Sequence, residues 1–348
     1  MKSSQYNADF PPAAKTKPKR GKRRRVWIIV AVIITLIALL IGGGLIWANA
    51  KFNQIEKIDD PFAGISKIDG FERPSHKSDG STPVNFLVLG SDSRVSAGDP
   101  SQWEAGAQRT DAIMVFQLSG DRQSVNVMSI PRDSWVSIPG HGEAKINAAY
   151  SFGGPTLAIA TVEQVTGIPI DHLAIVDFNS FVGLTDAVGG VEMTTATEGT
   201  RKYNGSEALE FVRERYSLPG GDFDRVRRQQ LWMKAVMSKL LTQETLSSPT
   251  KMLNIYDQVS PYVSVDEGFG FSEVASLAPS LTGLRSSGFN FMTAPVDGIG
   301  TSVDGQSIVI LNEEQFGDLN IAFQEDRVAA YLQENSSNIR TLNSDPVN

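Results

Sequence analysis

Cysteine is absent from all 348 residues, which removes thiolate nucleophiles, disulfides and cysteine metal sites. Histidine is almost as scarce. His76, His141 and His172 stand far apart, in no metal-ligand spacing and beside no Ser–Asp pairing, and read as loop or strand-edge residues. The phosphate loop G-x-x-x-x-G-K-S/T, the serine elbow G-x-S-x-G and the zinc motif H-E-x-x-H are all missing. Gly268-Phe-Gly270 and Gly298-Ile-Gly300 lack the rest of a dinucleotide fingerprint and read as turns, and the sequon Asn204-Gly-Ser206 reads as a helix cap. Positive charge is also rare outside one place. The net charge is −7, yet the first 25 residues hold nine Lys/Arg against one acid, so the other 323 carry −15. A body this acidic excludes non-specific binding to nucleic acid, which needs cationic surface facing phosphates.

What is present begins with an anchor. Val26 to Ala48 is an uncharged apolar run with Trp27 and Trp47 at its two ends. At 1.5 Å per residue it reaches roughly 34 Å, enough to cross a hydrocarbon core, and Trp favours the headgroup level. The run is too long for a cleaved signal peptide and is followed by no A-x-A site, so it reads as a retained signal-anchor. The basic cluster from Lys15 to Arg25 precedes it. The positive-inside rule therefore predicts a single-pass membrane protein with its N-terminus in the cytoplasm and its body outside.

Composition divides the chain into a basic tail (1–25), the anchor (26–48), a stalk rich in Lys, Asp, Gly, Pro and Ser (49–82), a folded domain (83–325) and a polar C-terminal tail (326–348). With 41% hydrophobic and 20% charged residues, the remaining length of roughly 250 residues can bury a substantial core. VNFLVLG (84–90), AIMVFQL (112–118) and SVNVMSI (124–130) read as strands. Pro155 to Thr166 reads as a helix with Pro at its first position, and Ile170 to Phe178 as a further strand. Helices are predicted over Asn204 to Arg215, over Asp224 to Leu241 and near 313–324, with a strand near 288–294. Mixed elements without strict βαβ alternation predict an α/β, three-layer α-β-α fold with a central mixed sheet.

Four segments carry the chemistry: Asp92 in GSDSR after the first strand, Arg109-Thr110-Asp111 before the second, Pro131-Arg132-Asp133 after the third, and Arg213 to Gln229. If the three strands are antiparallel neighbours in sequence order, Asp92, Arg109, Asp111 and Arg132 gather at one end of the sheet. The loop from Val95 to Gln108 is long for a hairpin. On the later helix, Arg225, Arg228, Gln229 and Trp232 share one stripe, placed at the rim of an adjacent apolar stripe of Val226, Met233, Val236, Met237 and Leu240. Arginine favours bidentate binding of oxyanions, and two carboxylates suit one hard divalent cation. The pattern fits phosphoryl transfer by positioning and charge neutralisation. Surface pairing of Arg213 with Glu214, or Arg227 with Asp224, would look similar on spacing alone.

Seven segments in register carry a resemblance: NFLVLGSDSR (85–94), RTDAIMVF (109–116), SIPRDSWV (129–136), KINAAYSFGG (145–154), VDFNSF (176–181), DAVGGVE (186–192) and ALEFVRERYSLPGGDFDRVRRQQ (208–230). Together with the basic tail and anchor, they resemble the LytR-CpsA-Psr family of bacterial cell-envelope proteins. The resemblance implies a Mg²⁺-dependent glycopolymer phosphotransferase, with Mn²⁺ as a substitute metal. It would move a glycopolymer from a polyprenyl-(pyro)phosphate carrier to a peptidoglycan sugar hydroxyl. It also implies that Asp92 and Asp111 hold the metal. Arg109, Arg132, Arg213, Arg215, Arg225, Arg228 and Gln229 would contact the pyrophosphate or the neighbouring sugar phosphate, with Lys145 and Asn147 close by. An apolar tunnel for the prenyl chain is implied too. The segment between Asp92 and Asp111 is longer here than in compact members. Hydrolysis of the same lipid diphosphate, and a non-enzymatic scaffold that binds envelope polymer or lipid, are the competing readings.

Overall fold

The structure is a computed structural model that describes residues 47–77, 82–91, 110–177, 179–214, 218–240, 242–246, 248–281, 283–284, 286–335, 339, 341–342 and 347. The chain divides into two units, 1–51 and 52–348. In the first, residues 47–51 are described and are helical. The predicted anchor therefore lies outside the described residues except for its last two. No helix among the described residues is long and apolar enough to cross a membrane.

In chain order the second unit holds β1 (Glu56–Ile58), β2 (Val84–Ser91), β3 (Thr110–Leu118), β4 (Val125–Ile130), the hairpin β5 (Trp135–Ile138) and β6 (Gly142–Lys145), and α1 (Ala148–Thr166). It continues through β7 (His172–Asp177), α2 (Asn179–Ala187), the hairpin β8 (Val191–Thr195) and β9 (Gly199–Tyr203), α3 (Gly205–Arg213) and α4 (Asp222–Leu240). Then come α5 (Gln243–Leu246), α6 (Pro249–Val259), β10 (Val263–Asp266), α7 (Phe271–Leu281) and β11 (Phe289–Thr293). The hairpin β12 (Val296–Thr301) and β13 (Ser307–Leu311) leads into α8 (Glu313–Gln324) and α9 (Val328–Glu334).

The main sheet runs β1-β10-β7-β2-β3-β4-β11. As the sequence reading supposes, β2, β3 and β4 are antiparallel neighbours, with the short connection at 119–124 joining β3 to β4. Parallel pairing of β7 with β2 and of β11 with β4 makes the sheet mixed. These directions put the C-terminal ends of β2, β4, β7 and β11 at one edge, together with the N-terminal end of β3.

Both faces of the sheet are covered, which is why its strands read as continuous apolar runs. Successive β3 residues go to opposite layers, as the pleat requires. Ile113 and Val115 join Leu87, Leu89, Met128 and Ile130 against Ile159 of α1 and Leu319 and Phe323 of α8. Met114 joins Val127, Phe289 and Phe291 against Met233 and Met237 of α4 and Leu277 of α7. Burying each such side chain contributes about 1.5–3 kcal/mol, which makes these layers the main source of stability. A third cluster links α2, the β8–β9 hairpin, α3 and α4 through Phe181, Val191, Phe211 and Trp232.

Polar side chains fix the register of the sheet. Asn126 Nδ2 donates to Gln117 Oε1 (3.3 Å), Gln117 Nε2 donates to Asn85 Oδ1 (3.2 Å), and Asn290 Nδ2 donates to Asn126 Oδ1 (2.8 Å). The row crosses four strands, and a one-residue slip would break all of it.

Two boundaries differ from the reading of composition. Residues 52–77, read as part of a stalk, pack against the folded domain. β1 is the edge strand of the main sheet, Ile58 and Ile65 sit in its core, and Arg73 Nε donates to Glu163 Oε1 at 3.0 Å. Nor is 326–348 simply a polar tail: Val328, Tyr331, Leu332 and Ile339 pack into the same core.

Candidate functional site

Asp111 is the second residue of β3, and Arg132 follows β4 by two residues. Because β3 and β4 are antiparallel neighbours, both reach the same sheet edge, where Arg132 Nη1 donates to Asp111 Oδ1. Arg132 also lies beside Asp133, with Nε 3.7 Å from Oδ2, and Lys145 Nζ is 3.2 Å from Asp133 Oδ1. The result is a chain of alternating charge, Asp111–Arg132–Asp133–Lys145, each member partly exposed.

Backbone bonds hold this chain in place. Ser134 N donates to Pro131 O (3.0 Å), Ile146 N to Ser134 O (2.8 Å) and Asn147 N to Arg132 O (3.2 Å). Pro131 removes one donor and stiffens the turn. Beside the charges lies a cavity of about 460 Å³, lined by Arg132, Asp133, Lys145, Asn147, Phe152 and Gln306 among others.

The helix α4 brings its residues to the same edge through a side chain that sequence reasoning missed. Gln230 Nε2 donates to Ser129 Oγ (2.9 Å) and Met292 O (2.9 Å), tying α4 to the last residues of β4 and β11. Arg225 and Gln229 lie on the adjoining stripe and are 9% and 3% exposed. The predicted rim position is therefore corrected. That stripe continues into the interior, where Trp232 stacks on Phe181 (centroids 4.0 Å apart) and donates from Nε1 to Thr185 Oγ1. The physical reason is that α4 packs against two apolar clusters at once, so its buried arc is wider than one stripe.

Arg228 takes a different direction. Its guanidinium lies 4.2 Å from the centre of the Phe211 ring and donates to Phe211 O at 3.3 Å, so these contacts are to α3 rather than to Asp111 or Arg132. Burial holds its pKa below the ordinary arginine value, while Tyr203, Glu198, Glu214 and Asp224 pull it back up. Arg213 is exposed at the end of α3. Asp224 is buried and accepts from Gly220 N at 2.9 Å, which shapes the Gly-containing turn before α4. Asp92, Arg109 and Arg215 lie outside the described residues.

Sequence reasoning passed over two acidic residues at this edge. Asp133 belongs to the quoted Pro-Arg-Asp segment, and its pairing with Lys145 depends on the β5–β6 hairpin returning to it. Asp177 ends β7 in register with Ser91, one residue before Asp92. Among the described residues, no group of three or more His, Asp or Glu side chains is placed to hold a metal. Asp111 nevertheless offers hard carboxylate oxygen, and a small divalent cation that keeps several waters needs only one or two such ligands. The donor chemistry of Asp111 fits that ion.

The sequence profile of the LytR_cpsA_psr family matches residues 52–324. The chain belongs to the LytR-CpsA-Psr family. Among curated relatives it is 31% identical to the cell wall biosynthesis protein LcpA of Corynebacterium glutamicum, over 90% of this chain and 68% of that protein. It is 34% identical to the polyisoprenyl-teichoic acid–peptidoglycan teichoic acid transferase TagU of Bacillus cereus, over 68% of this chain and 80% of that protein. In fold it resembles Bacillus subtilis TagV (TM-score 0.58, 24% identity, 70% of this chain and 97% of that one). It also resembles TagT bound to LI-WTA (TM-score 0.56, 22% identity, 74% and 98%). The family match begins at residue 52, as the folded unit does, so the LytR-CpsA-Psr domain includes the segment that composition reads as a stalk.

Proposed function

We propose that this LytR-CpsA-Psr protein is a membrane-anchored, extracytoplasmic phosphotransferase. It moves a glycopolymer from a polyprenyl-(pyro)phosphate carrier to a peptidoglycan sugar hydroxyl. The observation that carries the reading is the Asp111–Arg132–Asp133–Lys145 chain at the sheet edge, with the arginine-bearing start of α4 fastened to that edge by Gln230. The transferase activity in the name of the TagU relative supports it.

The acceptor hydroxyl gives up its proton to water, and its oxygen forms a bond to the phosphorus carried by the first sugar of the polymer. The bond from that phosphorus to the bridging oxygen breaks, and the electron pair leaves on the prenyl phosphate. Arg132 and Arg225, with Arg109, Arg213 and Arg215, hold the phosphate oxygens and neutralise the charge that develops on them. Gln229 supplies a neutral donor on the same helix face as Arg225. Lys145 and Asn147 flank the entering sugar, and Arg228 contributes field from its place on Phe211. Asp111 and Asp92 would hold Mg²⁺, or Mn²⁺ in its stead, which when bound neutralises phosphate charge as a Lewis acid. A substrate tethered to a prenyl lipid is met at the outer membrane face, which the anchor predicted at 26–48 provides.

The test incubates the full chain in detergent with a lipid-linked glycan, Mg²⁺ and peptidoglycan fragments. A covalently linked glycan–peptidoglycan product is expected, and Asp111→Ala or Arg132→Ala should abolish it. Binding of lipid-linked glycans without a linked product from any of them would sink the transferase reading. Release of prenyl phosphate without transfer would instead favour hydrolysis.

A further inference from the structure

The cavity beside Arg132 and Asp133 holds features that phosphate binding leaves unused. Apart from Arg132, which the phosphate takes, the charges on its floor cancel, since Lys145 pairs with Asp133. What remains for a ligand is mostly neutral hydrogen bonding and one aromatic face. Asn147 stands before α1, and its side chain makes no capping hydrogen bond to the helix. The residue lines the cavity.

The aromatic face is Phe152, which is 42% exposed. The sequence puts it there. Gly153 and Gly154 leave helical geometry, Gly154 with φ 63° and ψ −155°, and α1 resumes at Pro155. Before the break, Ala149 and Tyr150 stay in the core with Leu157 and Ile159 of the longer segment, while Phe152 faces outward. His141 stacks on Phe152 with centroids 5.0 Å apart and planes at 24°, so the ring is held rather than swinging free.

The walls share one support. Asn147 N donates to Arg132 O, Ile146 N donates to Ser134 O, and Val309 N of β13 donates to Asp133 O at 2.9 Å. The three residues 132–134 thus carry the helix start on one side and the β12–β13 hairpin, with Gln306 at the lip, on the other. A volume of about 460 Å³ falls within the range of small-ligand sites, about 300–1,000 Å³.

We infer that this cavity is a carbohydrate subsite that seats the acceptor glycan; the assignment to the acceptor rests on the transferase reading above. A pyranose presents a face of C–H bonds, partly positive, that packs on the negative face of an aromatic ring, with a rim of hydroxyl and amide groups for Asn147 and Gln306. A balanced floor suits an uncharged aminosugar chain better than a phosphate-rich polymer, which would call for net positive charge. Arg132 belongs to both this cavity and the pair with Asp111, so a hydroxyl seated here lies next to the phosphate that Arg132 holds.

The experiment compares the full chain with Phe152→Ala, Asn147→Ala and Phe152→Trp, the last keeping the aromatic face. One arm measures KM separately for the lipid-linked donor and for the peptidoglycan acceptor. The Ala variants are expected to raise the acceptor KM about tenfold while the donor KM moves less than twofold, and Phe152→Trp should restore it. The other arm follows binding of a β-1,4-linked N-acetylglucosamine tetrasaccharide by saturation-transfer NMR, with loss expected in both Ala variants. A rise in donor KM alone would reassign the cavity to the donor glycan and overturn the inference. So would tetrasaccharide binding that none of the variants alters. Should the wild-type chain transfer nothing, the transferase reading fails by itself, and the tetrasaccharide arm still decides whether the cavity binds sugar.

Discussion

Gln230 donates to the hydroxyl of Ser129 at 2.9 Å, joining a helix to a strand whose residues lie a hundred positions earlier in the chain. Ser129 is three residues before Arg132, and Gln230 directly follows Gln229. One hydrogen bond therefore sets the distance between the loop after β4 and the arginine-bearing start of α4. The same amide also donates to Met292 O, so β4, β11 and α4 meet at a single nitrogen.

Gln230→Ala should accordingly do more than loosen the core. It leaves buried acceptors on Ser129 and Met292 unmet, a cost of about 1–3 kcal/mol, and it frees α4 to shift. The expected result is a melting temperature lower by several degrees in circular dichroism, together with weaker transfer. Gln230→Glu, which keeps shape but brings a charge into the buried site, should be worse than Ala. Equal melting curves for wild type and Gln230→Ala would count against this bond as the tie between sheet and helix.

Asp111 and Arg132 form one charge centre, and their removal should not multiply. Each single change, Asp111→Asn or Arg132→Ala, is expected to lower kcat/KM about 100-fold or more. The double variant should fall no more than about tenfold below the worse single one, because groups that act as a unit lose their function together. Steady-state transfer kinetics on the four proteins give the cycle. Fully multiplicative losses would show that the two side chains act on separate steps.

Much of the sheet was legible because β2, β3 and β4 are long apolar runs, with β3 joined to β4 by a short connection that holds Gly120 and Asp121. Their antiparallel order then placed Asp111 and Arg132 together without further information. The Asn204 cap was legible as well, and it forms a full capping box with Glu207. By contrast, β1 is three residues long and its partner, β10, lies about 200 residues later, so a polar composition outweighed it. In α9, the apolar positions Val328, Tyr331 and Leu332 do recur at helical spacing, but the polar residues around them disguised the packing. For α4, a single sequence shows one apolar face, whereas two clusters from opposite sides claim the helix. The Asp133–Lys145 pair and the Gln230 tie depend on a hairpin return and a helix docking that no local pattern announces.

Gly154 should tolerate no side chain. Its φ of 63° with ψ of −155° lies in a region essentially reserved for glycine, so Gly154→Ala is expected to cost about 1–3 kcal/mol. Gly153→Ala meets a different obstacle, since a Cβ there would come within 2.6 Å of the Leu157 Cβ. Both variants should melt earlier than wild type, and both should displace Phe152. A Gly154→Ala protein as stable as wild type would mean that the break in α1 relaxes without strain.

Glu163 gives the fold a pH dependence whose sign can be worked out. Its carboxyl is buried on α1, accepts from Ile170 N at 2.8 Å and pairs with Arg73. Burial pushes its pKa above the ordinary value of 4.5, against the lowering by the Ile170 N–H and by Arg73. A folded pKa above the unfolded one means that the folded state holds its proton longer. Between 4.5 and the raised value the folded protein binds more protons than the unfolded chain, so stability falls as pH rises through that window. Below 4.5 the contribution is fully present. Glu163→Gln removes the titration while keeping an acceptor for Ile170 N, so its urea midpoint should change less across the same window. Measuring both midpoints from pH 4 upward decides the matter. A wild-type midpoint that climbs faster than that of Glu163→Gln over this range would show that Arg73 outweighs burial and that the shift runs the other way.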